Sequence, residues 1–568
     1  MTDPRGSSYR SRNSGDPGLF GYEGKVTLDG TPLSELPDIR RQSPEIERYL
    51  LPFQRVIYVR DLCSDLEPCP QLSAHPSSSK ALLDLMGVAR LSDIGKQGPG
   101  LAALPLPGRR NVADLTLLEA LFGRDALYMG LNLYDCFPQL LKTTLYKLAE
   151  LQGVVYNSAK EEEPGRIIHW APDPHGSLAK HISAVNHWEW PHYGAIDSTP
   201  LFIRGVLRVL RDEPSFLEAE YLGLDGQVHT IDHALHAAST WLDGRLRSNR
   251  EGLLEFKMSQ PRGIWNQAWK DTPESYMHAD GSYANHRRGI ASIEVQALAY
   301  DTLLDLANYY KERSGGEQFA RQDENVSLKT DSIMTLARNL KDTILDRFWL
   351  EDERGGYFAL ATDRDQLGNL RALAVRTSNM GHALHLLDGA DPELERRRAS
   401  LIKTLFSAEM LDRNGIRTLS SEEIRFVPFS YHCGSVWPWD NHVIAGELRR
   451  SGYFGLAHNL ELRTWNIIDA LGFFTEFVPG DNSSSPTALT ITRVVDVYDG
   501  ERDHWSNSYR IEKPAQETQA WTVEAIRAIK RGNQPLNPAR SLSTAAIDPA
   551  KRQFELSLLN DLESPSVR

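Results

Sequence analysis

The chain has 568 residues, of which 41% are hydrophobic and 24% charged, a composition typical of a globular protein with a sizeable core. Its 63 basic and 76 acidic residues give a net charge of −13, which argues against nucleic acid or an anionic membrane as the main partner, because both require a basic surface. No apolar run is long enough to predict a membrane-spanning helix. We therefore expect neither nucleic acid nor a membrane as partner, and a neutral small-molecule or oligosaccharide ligand is compatible with this charge.

The two ends of the chain differ in composition from its middle. Residues 1–18 are rich in Ser, Arg, Gly and Pro and are predicted to be a disordered tail, while 19–110 are irregular and are predicted to form an N-terminal extension or cap. Residues 533–568 are predicted to be a C-terminal tail that finishes in a short amphipathic segment. The start lacks the apolar core of a secretory signal, and the four cysteines show no metal or disulfide spacing, so we expect a cytoplasmic protein.

Between these ends the pattern is mostly helical, because apolar residues recur at the i, i+3, i+4 and i+7 positions. This period is present in 137–152, 197–212, 230–247, 289–312, 328–348, 396–406, 440–452, 455–470 and 514–531. A succession of helical hairpins closed into a ring explains the pattern, with an inner and an outer helix layer and a funnel lined by the connecting loops. An elongated helical array is the alternative.

The loop that ends in Asp271 is the first candidate for chemistry. Breaking a glycosidic bond requires two carboxyl groups, one that protonates the leaving oxygen and one that activates water or attacks carbon. Aromatic rings supply flat apolar faces for a sugar. The residues beside Asp271 that we assign to substrate binding are Trp265, Gln267, Trp269 and Lys270. In the structural alternative, Asp271 or Thr272 caps a helix that begins at Pro273, with Glu274 completing a capping box.

The second candidate carboxylate is Glu476, in the segment 472–480. Its neighbours in the sequence are mostly apolar. If the segment is extended, both of its faces carry apolar side chains, so the carboxylate is predicted to lie among apolar groups. A buried carboxylate is costly unless it has a partner or a task. The alternative is a solvated glutamate in a loop.

Three further segments carry polar residues in aromatic surroundings. Arg124 and Asp125 could form a surface ion pair of little value or a clamp for two neighbouring hydroxyls. The segment 431–441 opens a helix and supplies the candidates His432, Trp437 and Asp440, although a lone histidine is more often satisfied in a core. Gln519 lies in the third segment, where an ordinary solvated helix start is the competing interpretation. The chain has no P-loop, GxGxxG, HExxH or GxSxG motif that would indicate another chemistry.

Seven segments, taken in order, resemble the α-1,6-glucosidase domain of bacterial glycogen-debranching enzymes and related toroid glycosidases that hydrolyse mannosylglycerate or glucosylglycerate. They are LFGRDAL (121–127), AIDSTPLF (195–202), IWNQAWKD (264–271), IEVQALAY (293–300), RTSNMGHAL (376–384), CGSVWPWDN (433–441) and QAW (519–521). Ala268 and Trp439 replace a usual Gly and His. The lead-in of about 110 residues is far shorter than the β-sandwich domain of the debranching enzymes, which puts a glycogen-sized substrate in doubt.

The resemblance implies an all-α (α/α)6 toroid at 111–532, an inverting mechanism, and neither a cofactor nor a metal. Asp271 matches the general acid of the family, and Glu476 falls where related toroid hydrolases carry the general base. Arg124 and Asp125 would grip a terminal sugar. The expected activity is release of a terminal α-glucosyl unit, and the alternative is hydrolysis of a small α-glucoside or α-mannoside such as glucosylglycerate.

Two other classes of protein stay open at this point. One is a non-catalytic carbohydrate-binding protein, and the other is a toroidal sugar epimerase, for which His432 and His442 are weak candidates. If the chain is an inverting hydrolase, the carboxyl groups of Asp271 and Glu476 should lie about 6.5–9.5 Å apart across a pocket. The rings of Trp269 and Trp437 should each be partly exposed to that pocket.

Overall fold

The computed structural model describes these residues: 121–134, 138–172, 177–258, 263–314, 324–428, 430–471, 475–482, 491–499, 504–513 and 549–563. The predictions for the 1–18 tail, the 19–110 extension, the helix at 514–531 and Gln519 lie outside them.

The described part of the chain is mostly helical, and its helices form consecutive pairs. The first members of five pairs are α1 (Gly123–Leu133), α4 (Ser198–Leu210), α6 (Ile293–Ser314), the 3₁₀ helix Ser378–Leu387 and α9 (Pro438–Arg450). Their partners are α2 (Pro138–Glu150), α5 (Ile231–Ser248), α7 (Glu324–Arg347), α8 (Pro392–Leu405) and α10 (Phe454–Leu471). Each first member packs against its partner and against the first member of the next pair.

The eight predicted helices that fall on described residues are confirmed, with ends displaced by no more than about four residues. Four helical elements among the described residues were not predicted: α1, α3 (Ser177–Asn186), the short 3₁₀ helix Pro214–Glu218 and the 3₁₀ helix Ser378–Leu387. A further helix, α11 (Pro549–Glu563), packs on α10 and forms the end of the predicted C-terminal tail.

Local sequence explains where several helices begin. The Asp391 side chain accepts a hydrogen bond from the Glu393 amide and caps α8, whose first residue is proline. Trp437 is extended directly before Pro438, the first residue of α9. Gly123 begins α1 so close to the loop before residue 170 that a Cβ there would lie 2.1 Å from the Ile168 carbonyl oxygen, so only glycine fits.

Short antiparallel strands lie in the connections, and none of them was predicted. They are β1 (Leu121–Phe122), β2 (Trp170–Ala171), β3 (Glu220–Leu222), β4 (Val228–Thr230), β5 (Ala291–Ser292), β6 (Trp349–Asp352), β7 (Gly355–Phe358), β8 (Ala361–Arg364), β9 (Leu370–Leu373), β10 (Leu411–Asp412), β11 (Gly415–Ile416), β12 (Ile491–Asp499) and β13 (His504–Lys513). The sheets are β1-β2, β3-β4, β5-β8-β9, β6-β7, β10-β11 and β12-β13. β12 lies against the short 3₁₀ turn Pro273–Ser275 that follows Asp271.

The interior of the described residues contains a large apolar core and a cavity. Leucine, isoleucine and aromatic side chains from the paired helices form one large buried cluster, and burying each such side chain contributes about 1.5–3 kcal/mol. Side chains from all five first members also surround a cavity of about 470 Å³, which we call the axial cavity.

Among the described residues, no helix is both long and apolar enough to cross a membrane.

Candidate active site

The N-terminal ends of the first members come together, as contacts between α1 and α4 demonstrate. Arg124, in the first turn of α1, donates from Nε to Asp197 Oδ2 at 2.6 Å, and Asp197 is the N-cap residue of α4. Nη2 of Arg124 donates to the Gln267 carbonyl at 2.9 Å. Since Arg124 is only 2% exposed, the interpretation of Arg124 and Asp125 as a surface ion pair is wrong.

Asp125 and Asp271 influence each other electrostatically at this end of the helices. Asp271 is exposed, while Asp125 is half-buried. Burial raises the pKa of Asp125 to about 7; Arg124 opposes this shift, and the negative charge of Asp271 adds to it. Asp125 can therefore hold a proton near neutral pH, and the charge of Asp271 contributes to this.

The loop of Asp271 is fastened to the segment 431–437 by a buried hydrogen bond. Thr272 Oγ1 and His432 Nδ1 lie 3.0 Å apart, and both side chains are buried. Thr272 is the N-cap residue of the 3₁₀ turn Pro273–Ser275, but its side chain makes no capping hydrogen bond. The capping role predicted as an alternative for Thr272 is therefore wrong, because its hydroxyl bonds to the neighbouring loop instead.

Glu476 is held against the same segment. Its side chain is 0% exposed, and the Tyr431 hydroxyl donates a hydrogen bond to its Oε1. Val436 and Val478 exchange two backbone hydrogen bonds of 2.8 and 2.9 Å, which align the segment 475–480 with 431–437. Gly434, at φ +151°, allows the turn between these contacts. The alternative of a solvated loop glutamate is wrong.

The two tryptophans assigned to sugar stacking are buried, so the expectation of partly exposed rings is wrong. Trp269 is 2% exposed and Trp437 is 1% exposed. Their ring centroids lie 5.6 Å apart in an edge-to-face arrangement, and Trp439 contacts Trp269 from another side at 5.2 Å. The indole nitrogen of Trp437 donates to the Tyr431 carbonyl at 2.8 Å. In this structure the two rings pack the loop of Asp271 against the segment 431–437.

Lys270 and Asp440 lie close enough to interact electrostatically, beside this aromatic cluster. Lys270 is 1% exposed and donates from Nζ to the Thr418 carbonyl at 2.6 Å. Burial lowers the pKa of Lys270 to about 8, opposed chiefly by the nearby Asp440. Asp440, in the first turn of α9, accepts a hydrogen bond of 2.6 Å from His382 Nε2.

The remaining predicted residues of the Asp271 loop have protein partners. Gln267 Oε1 accepts from Arg166 at 2.6 Å, and its Nε2 donates to Glu161. Trp265 is half-buried, with its ring 5.2 Å from that of His286. Their roles in substrate binding stay predictions, as does that of Gln519.

Four residues of this arrangement were not assigned from the sequence: Tyr431, Thr272, Asp197 and His382. Three of them had a usable signal. Tyr431 begins the aromatic segment that contains His432 and Trp437, Asp197 lies in the AIDSTPLF segment, and His382 is the histidine of the RTSNMGHAL segment. The pairing of His382 with Asp440 could not be predicted, because the two residues are 58 positions apart in the chain. Among the described residues, no group of three or more His, Cys, Asp or Glu side chains is arranged to hold a metal ion.

Comparisons with known proteins find similarity in structure alone. No protein-family profile matches the chain, and no curated sequence relative is found. The chain is similar to a GH63 mannosylglycerate hydrolase from Thermus thermophilus, with 13% identity, a TM-score of 0.46, and coverage of 80% of this chain and 99% of that one. It is also similar to the neutral trehalase of Saccharomyces cerevisiae, with 14% identity, a TM-score of 0.38, and coverage of 82% and 78%. At these values the similarity does not assign an activity.

Proposed function

We propose that the chain is an inverting glycoside hydrolase that releases a terminal α-glucosyl unit, with Asp271 as general acid and Glu476 as general base. One observation supports this most: two carboxylates that are 205 positions apart in sequence (476 − 271) belong to loops that are fastened to one short segment. Thr272 makes the first connection through His432, and Tyr431 makes the second to Glu476 itself. Nothing local in the sequence requires this convergence.

The proposed architecture is an (α/α)6 toroid. Five first members pack in sequence and surround the axial cavity, as the inner helices of a ring would. The funnel then lies at the N-terminal ends of the inner elements, where Arg124, Asp197 and Asp440 are found.

The two carboxyl groups are suited to different roles by their surroundings. Asp271 is exposed and lies near Asp125, so its carboxyl group is accessible to the leaving oxygen of a bound sugar. Glu476 is buried and fixed by the Tyr431 hydroxyl, so it can orient and activate a water molecule. Asp125 is placed to accept hydrogen bonds from sugar hydroxyls beside Asp271.

Leaving-group dependence separates the two roles. Asp271→Asn removes the proton donor and should slow hydrolysis of unactivated glucosides by roughly 10²–10⁴-fold, while an aryl α-glucoside should be partly spared. Glu476→Gln should lose activity on both substrate types, because water activation is required in each case. Azide should restore turnover in Glu476→Ala more readily than in Asp271→Ala. Asp280→Asn, at an exposed aspartate, and Glu423→Gln, at a buried glutamate that does not line the axial cavity, are the matched controls.

Substrate and stereochemistry are tested together by proton NMR of the released sugar. The panel contains α-1,4- and α-1,6-linked glucose disaccharides, glucosylglycerate and mannosylglycerate. Inversion predicts that the β-anomer appears first from an α-glucoside. Wild-type rates in either carboxylate variant would contradict the assignment of that residue. Binding of these sugars without hydrolysis by the wild-type protein would instead favour a carbohydrate-binding protein.

A further inference from the structure

The axial cavity is a second candidate binding site. Its lining includes no residue of the loops 264–275, 430–437 or 475–480, which form the candidate active site. Its volume of about 470 Å³ lies in the range of small-molecule pockets, roughly 300–1,000 Å³. The cavity is therefore large enough for a ligand and distinct from the pocket proposed for hydrolysis.

A glycine in the lining enlarges this cavity without a packing reason. Gly446 lies in the interior of α9, and a Cβ atom built on it meets no other atom within 4 Å. Glycine destabilises a helix interior relative to alanine because it loses more backbone entropy on folding. Since no neighbouring side chain requires the small residue, the space in front of Gly446 is open to a molecule that is not part of the chain.

Most charged side chains of the lining have a partner of opposite charge, either in the lining or directly beside it. Its acidic residues are Glu294, Asp301, Asp305, Glu447 and Glu461, and its arginines are Arg204, Arg208 and Arg211. Arg204 donates from Nε to Asp305 at 2.9 Å, and His385 Nδ1 lies 2.6 Å from Glu447 Oε2. Glu447 and Asp301 raise the pKa of His385 to about 9 although its burial opposes this, so His385 adds a positive charge near neutral pH.

A near-neutral lining of this kind favours a neutral, hydroxyl-rich ligand. A charged molecule would lose its hydration and gain little Coulomb energy from carboxylates most of which already have cationic partners. Hydroxyl groups both donate and accept, so they match the carboxylate oxygens and the guanidinium groups together. Tyr128, also in the lining, supplies an aromatic ring for the C–H face of a sugar.

We propose that the axial cavity is a second, non-catalytic site that binds a neutral polyhydroxylated molecule of mono- to disaccharide size. His382 connects this site to the candidate active site: it lines the cavity, it bonds to Asp440 at 2.6 Å, and its ring is nearly parallel to that of Trp269 at 6.5 Å. A ligand in the cavity therefore contacts a residue that also touches the catalytic loops. The proposal does not depend on hydrolysis.

The test places a large side chain in the cavity by substitution of Gly446. D-glucose and maltose are titrated by calorimetry into the full-length wild-type protein, Gly446→Phe and Gly244→Phe. Gly244 is the matched control, since it is an exposed glycine in α5 that also has open space around it and does not line the cavity. Hydrogen exchange with and without sugar locates the binding. We expect protection of α4 and α9 in the wild type and in Gly244→Phe, and at least a tenfold weaker affinity at this site in Gly446→Phe.

The outcomes also separate this site from the proposed active site. Sugar bound for hydrolysis protects the loops 264–275 and 475–480, and that protection should persist in Gly446→Phe. Protection of α4 and α9 without any hydrolytic activity would contradict the proposed function alone. No sugar-dependent protection of α4 and α9, undiminished protection in Gly446→Phe, or tighter binding of sulfate or choline there would overturn the second site. If Gly446→Phe fails to fold by circular dichroism, Gly446→Leu replaces it.

Discussion

At the scale of single residues, the hydrogen bond from Tyr431 to Glu476 is the contact most directly tied to the proposed chemistry. A hydrogen bond to a charged group contributes about 1.5–3 kcal/mol, so removing it from a catalytic base should be visible in turnover. Tyr431→Phe is expected to lower kcat by about tenfold or more, with a smaller change in KM, because the carboxylate loses a fixed orientation toward water. Steady-state kinetics measures both parameters.

A second tyrosine provides a control for this variant. Tyr453 is also buried, its hydroxyl donates to Glu395 at 3.1 Å, and it follows the C-terminal end of α9, whereas Asp440 lies in the first turn of that helix. Tyr453→Phe should lower the midpoint of thermal unfolding without changing kcat. If Tyr431→Phe behaves in the same way, the bond serves folding only, and the assignment of Glu476 as base loses its main structural support.

Thr272 offers a test of the connection on the acid side. Thr272→Val keeps the shape of the side chain but removes the hydroxyl that bonds to His432, at a cost of about 1 kcal/mol or more in unfolding free energy. Because Thr272 follows Asp271 directly, we expect kcat/KM to fall as well. Thr302→Val is the control, since that hydroxyl bonds only to the Leu298 carbonyl of its own helix. An equal loss of kcat/KM in both variants would argue against a role for the Thr272–His432 bond in positioning Asp271.

The candidate carboxylates and the aromatic residues beside them were predictable from the sequence, but the burial and the contacts of these side chains were not. The aromatic loops around Asp271 and Glu476 stand out in the sequence because such rings are unusual beside carboxylates in ordinary connections. The burial of Trp269 and Trp437 could not be predicted, since it depends on the three-dimensional approach of two loops that are far apart in the chain. Tyr431 was overlooked because its partner is 45 positions away.

At the scale of elements, helices with a regular apolar stripe were predictable and those without one were not. The stripe of α6 follows a 3.6-residue period, and its position was predicted to within four residues. The 3₁₀ helix Ser378–Leu387 has no such period, because every one of its residues is buried. The start of α8 was placed at 396 because its first turn is rich in charge, although Asp391 and Pro392 are ordinary helix-start residues.

The 3₁₀ helix is also where a pH effect on stability is expected. His385 connects it to α6 through Asp301 at 3.3 Å and to α9 through Glu447 at 2.6 Å. Those two carboxylates raise the pKa of His385 to about 9, above its ordinary value of 6.5, although burial acts in the opposite direction. The stabilisation is therefore complete below about pH 6.5 and is lost as the pH rises through about 9.

The variant His385→Gln tests this dependence. Urea unfolding of the wild type and the variant should show the largest difference in unfolding free energy near pH 6 and a much smaller one near pH 10, because the neutral imidazole no longer attracts the two carboxylates. A difference that is constant across this range would mean that His385 contributes packing but not charge.

At the scale of the whole molecule, the candidate active site and the C-terminal helix lie at opposite ends of α9. Trp437 and Asp440 are at the start of α9, and the helix continues for 13 residues, which corresponds to about 20 Å. Beyond its end, Glu555 of α11 accepts a hydrogen bond of 2.8 Å from the Leu456 amide in the first turn of α10. The ring of Phe554 packs on Tyr453. α11 therefore stabilises the turn between α9 and α10 and has no contact with the catalytic candidates among the described residues.

Removal of residues 549–568 should accordingly affect stability and spare the chemistry. The truncated chain loses the partly buried apolar side chains Phe554, Leu558, Leu559 and Leu562 and the cap on α10, so its midpoint of thermal unfolding should fall by several degrees. Hydrolysis measured well below that midpoint should keep kcat/KM within about twofold of the full chain. Glu555→Gln, which keeps the apolar contacts and weakens the cap, should give a smaller decrease in the midpoint. Loss of activity at an unchanged midpoint would instead mean that the C-terminal segment acts on the candidate active site, although the two lie at opposite ends of α9.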